Sequence, residues 1–202
     1  MDLATMTTEI LRKIPQSMIP TAADGDLIRS HQKFFRQHQE AVIKGFYDLA
    51  FSDASTQGHL NPAERPAREN TLREWYKITT SGHFDDHYWT WQALVGIVHV
   101  KHNISNSSML SMWGWIINFL QTRLLQELPA AEALAAIQVL QKVQATVCSL
   151  IVESFILTQQ EAITRASGLN PAIQRRFIQI EIDTMLRQGR ATLQNHMLQA
   201  AA

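Results

Sequence analysis

The sequence has a single cysteine, Cys148, so no internal disulfide can form, and its apolar helical surroundings predict a buried structural thiol. Glycine and proline are scarce, at 8 and 6 of 202 residues. That scarcity leaves too few turns for a chain of short strands, and β-type alternation is missing. A charge bias is absent too. Lys+Arg and Asp+Glu both total 18, so the formal net charge is zero and the chain offers no average basic field for nucleic acid. No apolar run reaches 18 residues. The nearest, Met109 to Leu128, is interrupted by Ser111, Asn118, Gln121 and Arg123, which argues against a membrane span. Met1 to Pro20 lacks a basic-then-apolar leader, so a cytoplasmic protein is expected.

What is present is helical. The apolar share of 46% against 18% charged describes a globular chain with one well-buried core. A short segment is expected from Thr7 to Ile14, closed by Pro15. A helix capped at Asp24 or Asp26 then carries Leu27, Phe34 and Phe35 and continues to Phe51, across a bend near Gln37 to Gln39. Ser52 to Asn61 is loop-like, and Asn61-Pro62 opens a helix to about Thr80. Asp85 starts the next, which carries Tyr88, Trp91, Val95, Val98, His99 and His102 at helical spacing.

Asn106 or Ser107 caps a long apolar helix through Leu128, and Pro129 opens another of roughly 35 residues with a stripe from Leu134 to Ile156. Gly168-Leu169-Asn170-Pro171 ends it, and an amphipathic segment, Ala172 to Met197, follows. Seven or eight helices of this kind suit either a globin or a helical bundle.

Histidines are the residues with chemistry to place. His99 and His102 lie three apart and share a side of one helix, each either a satisfied core residue or a metal ligand. No carboxylate occupies the turns beside His99, so a zinc site on that helix alone is incomplete. His83 and His87, with Asp85 and Asp86 between them, read as a polar loop and helix cap before they read as a metal cluster.

Three stretches resemble the protoglobin and globin-coupled-sensor family. Gly45-Phe46-Tyr47-Asp48-Leu49 is similar to that family's Phe-Tyr-x-x-Leu element. Thr71-Leu72-Arg73-Glu74-Trp75 followed by Gly82-His83-Phe84-Asp85-Asp86-His87-Tyr88 resembles its Thr-Leu, Trp and Gly-x-Asp-x-x-Tyr passage. Ile97-Val98-His99-Val100-Lys101 resembles the segment that carries its proximal histidine. Tyr47 and Thr71 stand 24 residues apart, Thr71 and His99 28 apart, and this order makes the combination specific. The match departs after Lys101, where His102-Asn103-Ile104 replaces the family's Ile-Gly-Leu.

The resemblance implies an all-α globin fold over residues 24–167, after an N-terminal extension (1–23) and before an additional C-terminal helix (168–202). It implies haem b as cofactor, with His99 as the iron ligand and Tyr47 and Thr71 as distal hydroxyls that hydrogen-bond the bound gas. Phe46 and Trp75 fall at pocket-lining or packing positions. The implied function is binding or sensing of a diatomic gas, O2 first and CO or NO after it, with no dedicated enzyme activity. The tail is too short for an enzymatic output domain and is expected to be an extra docking helix, a dimer element or the start of a signalling linker to a downstream signalling protein. The long helices 107–128 and 130–165 resemble the family's dimer-forming pair and imply a homodimer. A non-haem regulatory module in stress signalling is the alternative, and haem redox turnover would be incidental.

Overall fold

The computed structural model describes residues 2–54, 61–168 and 170–200. Eight α-helices, and no strand, occur among them: α1 (Leu3–Leu11), α2 (Ala22–Ser30), α3 (Gln32–Ser52), α4 (Arg65–Thr79), α5 (Asp86–Lys101), α6 (Asn106–Glu127), α7 (Ala130–Ser167) and α8 (Pro171–Ala200). The chain divides into two compact units, Met1–Ile156 and Leu157–Ala202, and α7 runs across the division.

Most boundaries fall near the expected ones, and the differences have local causes. The leading helix begins earlier, at Leu3, because the Asp2 carboxylate accepts from the Thr5 amide at 3.0 Å. α2 is capped by Thr21 rather than Asp24 or Asp26. Asp24 instead occupies the third helical position and closes a capping box back to Thr21. The break in the second long segment is at His31, not near Gln37 to Gln39, and α3 runs unbroken past those residues. Ser105, not Asn106 or Ser107, caps α6 by accepting from the Ser108 amide at 3.0 Å. Part of the expected loop from Ser52 to Asn61, residues 55–60, lies outside the described residues, as does Leu169. Gly168 adopts φ +64°, the left-handed stop its position after α7 predicts.

In the first unit the core is built of aliphatic and aromatic side chains from α1 through α7. Cys148 belongs to it and is free, its thiol pushed up to about 12 by burial, which leaves it protonated and inert. α7 is long and apolar enough to cross a membrane by length and composition. Its inner residues from Ala133 to Ser154 are nevertheless buried against protein, as in a core helix.

Three contacts fix the helices that matter for the site. Tyr76 on α4 donates to the Phe35 carbonyl of α3 at 3.0 Å. Tyr88 on α5 donates to the Thr79 hydroxyl at 3.2 Å, tying the start of α5 to the end of α4. Gly96 lets α5 lie directly on α7. A Cβ there would overlap the Ile151 carbonyl and the Ser154 hydroxyl, so no larger residue fits without lifting the helix.

Candidate functional site

α5 is the element on which the site is built. Asp85 caps it, accepting from the Tyr88 amide at 2.8 Å, and Tyr88, Trp89, Gln92, Ala93 and Gly96 form its buried side. His99 follows Gln92 by seven residues, two helical turns, and so continues the same stripe. Its ring is half-buried, and Nδ1 is fully buried with no hydrogen-bond partner. Burial, with the nearby His102 second, pulls its pKa down to about 4, so the imidazole is neutral at physiological pH. His102 differs. It lies exposed at the C-cap of the helix, where its amide closes the last turn on the Val98 carbonyl at 3.0 Å.

Gln92 is a buried polar residue beside the candidate site that sequence patterning passed over. It is 0% exposed, its Oε1 accepts from the Trp75 indole of α4 at 3.2 Å, and its Nε2 has no partner. An isolated buried amide on an otherwise apolar face, two turns before a candidate ligand, was the available signal. Trp75 in turn packs edge-to-face on Trp113 of α6, with ring centroids 4.9 Å apart. The α4, α5 and α6 helices are thus joined on the side of α5 that carries His99.

Tyr47 is 9% exposed on α3 and donates to the Arg68 carbonyl of α4 at 2.9 Å. Burial pushes its pKa up to about 12, Arg68 opposing and Glu69 adding to the rise, so the phenol is a donor at any physiological pH. Phe46 meets it edge-to-face at 5.1 Å, and Leu49, Phe51 and Leu72 close around the cluster of Ile43, Tyr47, Ala50 and Met112. The structure therefore brings Tyr47 and Phe46 together, and joins Trp75 to the His99 helix. Thr71 stands apart: it is exposed and donates to the Ala67 carbonyl of its own helix at 3.1 Å. His83 and His87 are exposed beside a surface pocket of about 330 Å³ that Trp91, Tyr88 and Ile78 also line. No group of three or more His, Cys, Asp or Glu side chains suited to a metal ion occurs among the described residues.

A haem iron needs one neutral imidazole with a nitrogen free of other bonds, next to an apolar wall. His99 supplies the neutral imidazole, and no hydrogen bond at Nδ1 ties the ring to another group. The residues present fit the group.

Comparison with known proteins leads the same way. No curated protein matches the chain in sequence. The globin domain of the Geobacter sulfurreducens globin-coupled sensor shares the fold, with a TM-score of 0.61 and 16% identity. That alignment covers 67% of this chain and 90% of the other. The protoglobin family model matches residues 11–161. With most of its length inside that match, and with a globin fold, the chain belongs to the protoglobin family.

Proposed function

We propose that the protein binds haem b at His99 and senses a diatomic gas, O2 before CO or NO. Membership of the protoglobin family supports haem-based gas binding in general. The observation that carries the assignment to His99 is its half-buried ring, held neutral by desolvation and in line with the buried side of α5. Haem, held by His99, would supply the iron that takes the gas.

The chain's own residues do the rest. Desolvation keeps His99 free of a proton that would compete with the metal. The Asp85 cap, the Tyr88–Thr79 bond and the close seat of Gly96 on α7 hold α5, and with it the imidazole, in place. Tyr47 keeps a phenolic proton available. Its present acceptor is the Arg68 carbonyl, so donating to a bound gas requires the hydroxyl to turn from that oxygen. Phe46 and Leu72 would exclude water there. Thr71 joins as a second donor only if α4 rotates, because its hydroxyl now closes on Ala67.

We read the protein as a cytoplasmic sensor without dedicated turnover, a homodimer through α6 and α7 that reports to a separate protein. Leu110, Leu125, Leu134 and Ile156 are large apolar side chains exposed on those two helices, which supports the contact. An absorption spectrum of the purified protein tests the central claim. A Soret band that shifts with CO, and its loss in His99→Ala, is the expected result. A chain that takes up no haem on titration would instead be a non-haem regulatory module.

A further inference from the structure

α8 is a 30-residue helix, and none of its described side chains is buried. A helix of this kind usually owes its stability to packing along an apolar face. Here that face is bare: Phe177 is 58%, Met185 66% and Leu193 65% exposed, with Ile173, Ile178, Ile180, Ile182 and Leu186 between 42% and 52%.

At about 100° per residue these side chains separate into two stripes on opposite sides. The shorter holds Ile173, Phe177 and Ile180. The longer holds Ile178, Ile182, Met185, Leu186, Gly189 and Leu193. A helix lying on a membrane surface needs one apolar side and one charged side, which this arrangement does not give. The longer stripe has a further property: it is complementary to itself when reversed. An antiparallel copy centred between Met185 and Leu186 sets Ile178 against Leu193, Ile182 against Gly189, and Met185 against Leu186.

Gly189 has open space where a Cβ would stand, which leaves room for the opposing isoleucine. Its presence mid-helix is otherwise destabilising relative to alanine. The charges at the border agree with this register. Asp183 and Arg190 lie on the same edge and, on reversal, each meets the other's counterpart, giving two unlike-charge pairs. On the other edge Glu181 meets the uncharged Gln188. Because the contact is isologous, two α8 helices complete it.

We propose that α8 is a self-association helix that pairs antiparallel with α8 of a second copy of this chain, through the stripe from Ile178 to Leu193. The pairing involves neither α6, the first unit nor the haem site, so it stands or falls separately from the function proposed above.

Single cysteines placed in the full-length chain, in a Cys148→Ala background, test it under mild oxidation. Met185→Cys lies next to the two-fold axis and is expected to give a disulfide-linked dimer. Ile178→Cys sits about 22 Å from its counterpart in the antiparallel register, and is expected to stay unlinked. Phe177→Cys, on the opposite stripe, is also expected to stay unlinked. Linkage of Ile178→Cys as readily as Met185→Cys would mean a parallel pair and overturn the proposal. So would linkage through Phe177→Cys alone, or no linkage at any site. Binding of the unlinked chain to phosphatidylglycerol vesicles would point to a membrane surface and overturn it as well. Circular dichroism of each variant confirms that the helices are intact.

Discussion

At the scale of single residues, the decisive feature is a histidine that has lost its proton without gaining a hydrogen bond at its buried nitrogen. His99 titrates near 4 in the fold, against 6.5 for the ordinary side chain. Between those values the unfolded chain binds a proton that the folded chain does not, so stability falls as pH drops through that window and is fully present above it. For the haem-free protein the loss is on the order of 2–3 kcal/mol by pH 4. Denaturant titrations at pH 7 and pH 4.5 should show it, and His99→Leu should flatten that part of the pH dependence. Equal pH dependence in both chains would mean the ring is not desolvated.

The flanks of His99 made it legible from sequence, but periodicity alone could not separate it from His102. The separation comes from where α5 stops: helix ends at Lys101, and the next histidine falls into solvent at the cap. Thr71 shows the converse. The inner side of α4 is set by Tyr76 and Thr79, with Leu72 reaching the Tyr47 cluster, and Thr71 lies about 100° away from Leu72. Gln92 was illegible because its importance depends on Trp75, a partner 17 residues distant whose approach only the folded helices establish.

Among the elements, α5 owes its position to a backbone seat more than to its side chains. Any side chain at Gly96 collides with the main chain of α7 at Ile151, which cannot swing aside as a rotamer can. Gly96→Ala should therefore cost about 1–3 kcal/mol of stability. It should also weaken haem uptake, because α5 lifts and carries His99 with it. A lower urea midpoint together with a weaker Soret titration checks both. A stable variant with normal haem affinity would show that α5 is positioned by other contacts. A second close seat joins α2 to the α4–α5 turn, where Gly25 and Gly82 leave no room for a Cβ at either position. Gly82 also has φ +71°, and its carbonyl accepts from Arg29 Nη1 at 2.7 Å. Helix number and order were readable because apolar spacing and proline marked each segment. Exact starts were not, because neighbouring polar residues compete for one cap and only geometry selects the winner. Thr21 prevails over Asp24 because Asp24 can answer from the third position, which a cap at Asp24 itself would forgo.

For the whole molecule, the two units call for different kinds of stabilisation. The first holds every buried residue of the core and both ends of the candidate site, from Tyr47 to His99. The second contributes a helix with no buried side chain among those described. Burial is what offsets the entropy of ordering a chain, so α8 requires a further apolar surface to be stable itself. A chain ended after Ser167 should keep its haem spectrum and its thermal midpoint within the shift expected of about 1 kcal/mol or less. It should lose only the part of its self-association that depends on α8. Analytical ultracentrifugation and a melting curve of the two chains, side by side, separate these effects. A large drop in melting temperature on truncation would mean that α8 supports the first unit directly, and that its bare stripe is needed at home.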